Sequence, residues 1–384
     1  MSRSLAAMVG GAIGALAFLV IVTWFLWFCI FHRRILANRS SETGSSDPPT
    51  IEWSRGGRMS SAGGGHATEH QGARQFTFEE LSQATNNFDE CNLVGSGSFG
   101  LVYNGLLLDG TIVAIKRRQS APRQEFIEEV KKLSEICHRN LVALIGYCQE
   151  GGLQMIVFEH LPNGSISRHL YDSARDRVAR LEFKQRLSVA IGAAKGLAHL
   201  HNLVPQVVHK DFKSSNVLVD ENFIAKVADA GIAQLLQRLE DAGPSQSFGG
   251  NVFQDPEVEE FGALSEASDV YSFGVFLLEL ITGREAAHFF SPESDESLAQ
   301  WVEAHLISKD LLDQRLGSSF TPEGMKDLIK LTLQCLNPSG RKRPKMSAVV
   351  ADLDLILETE MTLTTVMGDG TAIVTLGSQL FTSS

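Results

Sequence analysis

One stretch near the N-terminus, from Leu5 to Phe31, contains no charged residue. About 20 apolar residues are enough to cross the hydrocarbon core of a bilayer. A cleavable signal peptide is the competing interpretation, but its apolar part is usually only about 7–15 residues long. We therefore expect residues 5–31 to form a transmembrane helix, which makes the lipid bilayer one partner of the chain.

The charges on either side of this stretch predict its orientation. Only Arg3 precedes it, whereas Arg33, Arg34 and Arg39 follow it. Cytoplasmic flanks carry the excess of Lys and Arg. We therefore expect a single-pass protein of the plasma membrane, with residues 1–4 outside the cell and all that follows the span in the cytoplasm.

Gly10 and Gly14 form a G-x-x-x-G pair within the expected span. Such a pair allows two membrane helices to pack closely, which would join the chain to a second copy or to a co-receptor. Glycine is also common in membrane helices that make no such contact, so both interpretations stay open.

Composition narrows the classes of partner. The net charge of −11 argues against nucleic acid, because binding phosphate backbones needs a basic face. The five cysteines include no C-x-x-C pair, which is typical of reduced, unpaired thiols. His199, His201 and His209 have no fourth zinc ligand nearby in the sequence.

The rest of the chain divides by composition and periodicity. Residues 32–75 are rich in Ser, Gly and Pro, which is typical of a flexible tether, and residues 76–87 predict a short helix. Alternating apolar residues predict three antiparallel strands between Asn92 and Lys116, with a hairpin turn at Asp109–Gly110.

A helix follows, with Pro122 in its first turn; its predicted buried face is Phe126, Val130, Leu133 and Cys137. Two strand-like runs come next, and helical patterns dominate from Asn163 onward. Residues 358–384 form a tail without a usable pattern.

The segment Gly95–Gly100 reads GSGSFG and fits the pattern G-x-G-x-x-G. A dinucleotide-binding loop would open a helix, but a strand-like run follows here. Leu101 occupies the position of the lysine in a Walker A loop. A glycine-rich hairpin remains, and its backbone N–H groups can approach phosphate groups closely because no Cβ atoms intervene.

Two further groups could act on the same phosphates. Lys116 ends a predicted strand, and Glu129 lies in the following helix beside Glu125 and Glu128. A carboxylate paired with Lys116 would hold its ammonium group against the α- and β-phosphates of a nucleotide. Spacing alone does not choose among the three glutamates.

The segment HKDFKSSN, from His209 to Asn216, carries groups suited to phosphoryl transfer. Asp211 can accept a proton from an attacking hydroxyl group, and Lys213 can offset charge on the transferring phosphoryl group. The Asn216 amide and the Asp229 carboxylate supply the hard oxygen ligands that Mg²⁺ prefers.

With these motifs in this order, the chain resembles the plant-type receptor-like protein kinases over residues 76–357. The resemblance implies an α+β fold: a two-lobed kinase domain over residues 88–357, behind the N-terminal transmembrane helix. Its small β-rich lobe would span residues 88–157, its hinge 158–162 and its helical lobe 163–357. ATP and Mg²⁺ are the implied cofactors.

The resemblance also assigns individual positions. It identifies Asp211, Lys213 and Asn216 as catalytic, Asn216 and Asp229 as metal ligands, and Lys116 and Glu129 as a phosphate-binding pair. The implied nucleotide-binding positions of the glycine-rich loop are Val94, Gly95, Ser96, Gly97, Ser98, Phe99, Gly100, Leu101 and Val102. The others are Ala114, the gatekeeper Phe158, the hinge residues Glu159 and Leu161, and Leu218 beneath the adenine.

Two structural features of the family are also matched. Asp269 corresponds to a buried aspartate under the catalytic loop, and Glu257 with Arg343 corresponds to an ion pair that braces the large lobe. Lys213, two residues after Asp211, is the serine/threonine-type arrangement.

Three positions depart from the family pattern. Lys210 replaces an arginine that receives an activation-loop phosphate, for which lysine is not an equal substitute. Ala230 replaces a buried phenylalanine, and Gly250 stands where a threonine shapes the peptide-binding loop. Ser245 and Ser247 are candidate phosphosites.

We expect transfer of the ATP γ-phosphoryl group to serine or threonine of protein substrates in intracellular signalling. The alternatives are a pseudokinase that binds nucleotide or partners with little or no transfer, and a co-receptor subunit that acts through its membrane helix.

Overall fold

The computed structural model describes residues 72–171, 181–239, 251–261, 264–290, 297–306, 311–317 and 319–366. The expected span at residues 5–31, most of the tether, Ser245, Ser247 and Gly250 lie outside these ranges. Among the described residues, no helix has the length and apolar character needed to cross a membrane.

The small lobe is built on a six-stranded sheet. Its strands are β1 Arg74–Gln75, β2 Leu93–Gly97, β3 Gly100–Leu106, β4 Ile112–Gln119, β5 Leu144–Glu150 and β6 Leu153–Glu159. Their order is β1-β5-β6-β4-β3-β2. The three strands predicted between Asn92 and Lys116 are confirmed as β2, β3 and β4, which pair antiparallel. The turn at Asp109–Gly110 is also confirmed, with Gly110 at φ +87°.

Two helices accompany this sheet. Helix α1, Phe78–Ala84, is the predicted short helix, and it begins at a capping box in which Thr77 and Glu80 bond each other's backbone N–H groups. Helix α2, Gln124–Ser134, buries Phe126 and Val130 as predicted. The prediction was wrong at both ends of α2: Pro122 precedes the helix, and Cys137 lies exposed beyond it.

The large lobe is helical, as expected. Its helices are α3 Ile166–Tyr171, α4 Phe183–His201, α5 Ile232–Leu239, α6 Pro256–Phe261, α7 Glu266–Thr282, α8 Leu298–Leu306, α9 Pro322–Cys335 and α10 Met346–Val366. Helix α7 is buried along nearly its whole length, and α4 along most of its length, so these two helices form the centre of the core. A hairpin of β7 Val217–Val219 and β8 Ala225–Val227 belongs to the same lobe.

Ordered structure begins and ends slightly outside the boundaries expected from composition. Arg74 and Gln75, placed in the tether, pair as β1 with Gly146 and Tyr147 of β5. At the other end, α10 continues to Val366, so the expected boundary at residue 357 falls within that helix.

Candidate active site

The glycine-rich segment forms a hairpin between β2 and β3, as the sequence predicted. Residues 94–98 are exposed, whereas Phe99 at its tip is buried and its ring centroid lies 6.4 Å from that of Phe126 in α2. Gly100 has φ +141°, and a Cβ there would run into the carbonyl oxygen of Arg117. The hairpin therefore requires glycine at this position, and its tip is anchored on α2.

Strand register places one wall of the expected nucleotide site. Val102 is opposite Lys116, and Ala114 is opposite Phe158. Because directly paired and alternate residues share a face of a sheet, these four side chains lie on one face. The Lys116 ammonium is 5.9 Å from the centre of the Phe158 ring. Leu101 is the register partner of Arg117, so its side chain lies on the opposite face.

The hinge is fastened to the large lobe through Glu159. Its carboxylate accepts hydrogen bonds from the Ala143 backbone N–H at 2.7 Å and from the Lys226 ammonium at 2.8 Å. Leu161, two residues further along the hinge, is buried. Lys226 is the register partner of Leu218 in the β7–β8 hairpin. The ion pair therefore connects the hinge with the strand pair that carries Leu218.

The catalytic-loop residues are assembled locally. The Lys213 ammonium lies 2.9 and 3.2 Å from the two carboxylate oxygens of Asp211. Asn216 donates its side-chain N–H to the Asp211 backbone carbonyl at 2.7 Å. These contacts present a carboxylate that can accept a proton beside a cation that can offset phosphate charge.

Asp269 holds the backbone before this loop. This aspartate in α7 is buried, as expected, and it accepts the backbone N–H groups of His209 at 2.7 Å and Lys210 at 2.9 Å. It also bonds the His201 ring at 2.8 Å. A buried carboxylate with three hydrogen bonds is well satisfied. Asp269 therefore holds in place the backbone that directly precedes Asp211.

The expected metal ligands are brought together by the backbone. Ala228 donates its N–H to the Asn216 carbonyl at 2.8 Å, and the Ala228 carbonyl bonds the His209 ring at 2.8 Å. Asp229 follows directly. Asn216 uses its side-chain N–H on Asp211, and its amide oxygen and the Asp229 carboxylate are the kinds of donor that Mg²⁺ prefers.

The expected pair of Lys116 with Glu129 is wrong for this structure. The Lys116 ammonium pairs with Asp229, and the Glu129 carboxylate pairs with Arg238 of α5 and, at 2.8 Å, with Lys132. Burial raises the pKa of Glu129, but the Lys132 hydrogen bond and the Arg238 charge outweigh it, so the net pKa lies below its usual value. Glu129 is therefore ionised and bound to α5.

Helix α5 was not singled out from the sequence, although its signal is present. Ile232, Leu235, Leu236 and Leu239 follow the i, i+3, i+4, i+7 spacing of an amphipathic helix. Ile232, Leu235 and Leu239 are buried in one apolar cluster with Phe99, Phe126 and Val130. The helix starts just after Asp229 and packs against α2, which explains why its Arg238 reaches Glu129.

Two of the departures from the family pattern, Lys210 and Ala230, lie beside α5. The Lys210 ammonium bonds the side-chain oxygen of Gln237 at 2.8 Å, and burial lowers the Lys210 pKa, with Asp269 partly opposing that shift. Ala230 packs against the large-lobe core. Gly231 has φ +77°, and any Cβ there would clash with Leu133 of α2.

The brace of the large lobe uses a different acid from the one expected. Arg343 forms two hydrogen bonds with Asp255, at 2.6 and 2.7 Å, rather than an ion pair with Glu257. Both side chains of the Arg343–Asp255 pair are almost fully buried. Asp255 lies two residues before Glu257, a distinction that motif matching does not make.

The three histidines considered as zinc ligands have separate roles. His201 bonds Asp269, His209 bonds the Ala228 carbonyl, and the His199 ring stacks on His138. Within the described ranges, no group of three or more His, Cys, Asp or Glu side chains is arranged to hold a metal ion.

Comparison with known proteins agrees with this geometry. The family described as protein tyrosine and serine/threonine kinase matches residues 89–353. In Arabidopsis thaliana, proline-rich receptor-like protein kinase PERK8 is 40% identical over 296 residues, which cover 74% of this chain and 43% of PERK8. Receptor-like protein kinase THESEUS 1 is 40% identical over 310 residues, which cover 78% of this chain and 36% of THESEUS 1. The match thus spans less than half the length of these two relatives.

Two other matches cover more of the compared protein. The probable serine/threonine-protein kinase PBL3 of Arabidopsis thaliana is 39% identical over 313 residues, which cover 75% of this chain and 71% of PBL3. Among solved structures, the pseudokinase domain of BIR2, an immune regulator of the RLK/Pelle family, gives a TM-score of 0.61 at 30% identity. It covers 73% of this chain and 86% of that chain. The chain therefore belongs to the protein kinase family and, within it, to the receptor-like protein kinases.

Proposed function

We propose that the chain transfers the γ-phosphoryl group of ATP to serine or threonine hydroxyl groups of proteins. The contact that carries this proposal is the Asp211–Lys213 pair at 2.9 Å, with Asn216 bonded to the same loop. Phosphoryl transfer depends mainly on positioning and charge stabilisation. A base, a cation and two oxygen ligands in one place meet those needs.

Asp211 accepts the proton of the substrate hydroxyl. As it does so, the hydroxyl oxygen bonds to the γ-phosphorus, and the bond from that phosphorus to the β–γ bridging oxygen breaks, leaving ADP. Lys213 offsets negative charge on the moving group. Asn216 and Asp229 would hold Mg²⁺, whose charge would neutralise part of the negative charge on the phosphate groups.

The small-lobe residues bind the nucleotide. Val102 and Ala114 on the sheet would contact the adenine from one side and Leu218 from the other, while the backbone of Glu159 and Leu161 would bond its edge. Lys116 binds the α- and β-phosphates when Glu129 holds it. That pairing requires Lys116 to leave Asp229 and Glu129 to leave Arg238.

The second candidate function is that of a pseudokinase scaffold that binds partners or nucleotide without transfer. The Lys116–Asp229 pair favours it, because that pair ties up one phosphate-binding group and one metal ligand. The likeness to the BIR2 pseudokinase domain points the same way.

Phosphate incorporation separates the two functions. The purified full-length chain is incubated with Mg²⁺ and labelled ATP, alone and with a protein substrate mixture, beside Asp211→Asn and Lys116→Met. Incorporation that falls about 10²- to 10⁴-fold in Asp211→Asn supports the kinase, since that is the usual contribution of a general base. Nucleotide binding with no incorporation above Asp211→Asn supports the scaffold.

We also place this kinase in the plasma membrane, with residues 5–31 as its anchor and its kinase domain in the cytoplasm. The uncharged run and the arginines after it support this placement. Alkaline carbonate extraction of cell membranes tests it: the full chain stays in the pellet, and deletion of residues 5–31 releases it. Release of both forms would contradict the anchor.

A further inference from the structure

The short segment of residues 251–255 lies beside the catalytic loop. Ser272 of α7 donates its hydroxyl hydrogen to the backbone carbonyl of Phe253 at 2.8 Å. Asp269, three residues earlier in α7, holds the backbone that directly precedes Asp211. Three residues of an α-helix span about 4.5 Å, so α7 fixes this segment about one helical turn from the backbone that leads to Asp211.

Hydrogen bonds hold the segment at both of its ends. Asn251 accepts the Phe253 N–H on its side-chain oxygen at 3.1 Å and the Gln254 N–H on its carbonyl at 2.9 Å. Asp255, at the other end, is bonded by the buried Arg343 guanidinium at 2.6 and 2.7 Å. A side chain that the backbone presents between these contacts therefore has a defined place.

One acceptor in this segment lacks a partner. The side-chain oxygen of Gln254 is buried, and no group within the described ranges donates a hydrogen bond to it. Buried polar atoms nearly always have a partner, and leaving one without is unfavourable. Gln254 as a whole is only half-buried, and its amide turns easily about the last side-chain bond. A donor that arrives from outside the chain can therefore reach this oxygen.

The surroundings of this oxygen define what it can bind. Val252 is buried and Phe253 packs against the large-lobe core, while the charge of Asp255 is matched by Arg343. The unmet group is thus a neutral amide oxygen. Such an oxygen accepts from hydroxyl, amide, ammonium and guanidinium groups, whereas an aliphatic side chain offers it no hydrogen bond.

We propose that Gln254 is a specificity-determining residue, whose amide oxygen accepts a hydrogen bond from a donor side chain that the protein substrate carries beside its serine or threonine. This inference rests on the proposed function and names its class of substrate. Adjacent residues of an extended peptide are about 3.4 Å apart. A peptide whose hydroxyl group reaches Asp211 therefore passes Gln254 within about two or three residues. An apolar side chain there is disfavoured, because it leaves the acceptor buried without a partner.

A purely structural glutamine would behave differently. If Gln254 only filled space, or if water alone satisfied it, its replacement by leucine would change stability or nothing, and the choice of substrate would stay the same. A specificity role predicts a changed choice of substrate. It also predicts that the unfolding free energy in urea does not fall, since leucine removes an unpaired acceptor.

The main test measures peptide preference with the full-length chain. The probe is a peptide library with a central serine or threonine, in which each of the three positions on either side is set in turn to asparagine, glutamine, lysine or leucine. In the wild type we expect one position to favour the donors over leucine about three- to tenfold in kcat/KM, the effect of one hydrogen bond. Gln254→Leu should abolish or reverse that preference at the same position.

Two further variants show whether the effect belongs to this oxygen. Gln254→Glu keeps an acceptor and adds a charge, so we expect the preference to persist and to shift toward lysine. Gln334→Leu makes the same chemical change at an exposed position of α9, and should leave every preference as in the wild type. Equal preferences in the wild type and Gln254→Leu, or the same shift in Gln334→Leu, would overturn the proposal.

Peptide binding without transfer separates this proposal from the proposed function. The same peptides with a central alanine are immobilised, and retention of the wild type is compared with that of Gln254→Leu. If no peptide is phosphorylated but the donor peptides retain the wild type more strongly, the proposed function fails and the role of Gln254 stands. If both proteins phosphorylate peptides with one preference, the function stands and the role of Gln254 fails. No phosphorylation with equal retention would contradict both.

Discussion

The two sides of the cleft are organised in different ways. On the large-lobe side, Asp211, Lys213 and Asn216 bond one another within one loop, and buried Asp269 fixes the backbone that precedes them. On the small-lobe side, Lys116 and Glu129 come from separate elements, and each is paired with a group outside that side.

This difference indicates which side of the cleft can change its arrangement and so be regulated. A set of groups held by its own loop and by a buried carboxylate has one arrangement, since moving any member would leave a polar group unsatisfied. A pair that joins a strand and a helix has two arrangements, because each member has an alternative charged partner. We infer that the base side is preformed and that the phosphate-binding side switches.

The largest effect expected is on the fixed side. Asp255→Ala leaves the Arg343 guanidinium buried without its carboxylate, and breaking a buried pair in this way costs about 3–5 kcal/mol of unfolding free energy. Urea unfolding monitored by fluorescence measures it. Glu257→Ala is the matched control, with an expected loss below about 1 kcal/mol. A larger loss of unfolding free energy in Glu257→Ala than in Asp255→Ala would contradict this and would support the Glu257–Arg343 pair expected from the motif.

The next prediction concerns Glu129, which pairs with Arg238 in this structure and with Lys116 in the arrangement proposed for transfer. Glu129→Gln weakens the contact with Arg238 and also the contact with Lys116 that transfer requires. We expect faster hydrogen exchange in α5 together with a fall in transfer rate of about tenfold to a hundredfold, the worth of a charged hydrogen bond. Arg238→Ala should give faster exchange with a faster rate. Equal signs for the two variants in the transfer assay would contradict the switch.

A smaller effect is expected within the fixed side, at Glu279 of α7. Burial raises the pKa of Glu279 above its ordinary value of 4.5, and the Ala286 amide with the Tyr171 and Ser214 hydroxyls lowers it only in part, while nearby Glu285 raises it further. A raised pKa favours the protonated folded state. This contribution is complete below pH about 4.5 and is lost as pH rises through the raised pKa.

Glu279→Gln removes that pH dependence. We expect the melting temperature of the wild type to fall, relative to the variant, as pH rises from 4.5 toward neutrality. At neutral pH the variant should be the more stable by about 1 kcal/mol, since it no longer buries a charge. Calorimetry across this range measures the difference, and parallel curves for the two proteins would refute the assignment.

The smallest effect expected is at the hinge, where the two sides meet. Lys226→Met removes the ammonium that bonds Glu159 at 2.8 Å, and we expect MgATP binding to weaken about two- to fivefold, because the pair is only partly buried. Lys226→Arg should retain most of the affinity. Lys195→Met, which removes an exposed pair with Asp354, is the control and should change nothing in the same titration.

Sequence patterns predicted the elements better than the partners. Alternating residues predicted β2, β3 and β4, and strand register then placed Val102, Ala114, Lys116 and Phe158 on one face without further assumption. The same register puts the Leu101 side chain on the opposite face, which motif matching alone does not show.

Charge pairing was the harder problem for a physical reason. The Glu129 carboxylate has three candidate partners, Lys116, Lys132 and Arg238. Their spacing in the sequence does not show which of them it pairs with. The choice follows from the packing of α5 against α2. The same holds for Arg343, which has Asp255 and Glu257 two residues apart and takes the one that the buried backbone presents.

The most direct test of the central claim is the structure of the full-length chain with Mg²⁺ and a non-hydrolysable ATP analogue. The account predicts that Lys116 pairs with Glu129 and contacts the phosphates, that Arg238 has left Glu129, and that Asp211, Lys213 and Asn216 keep the contacts described above. A bound nucleotide with α5 still paired to Glu129, or a catalytic loop rebuilt on binding, would contradict it.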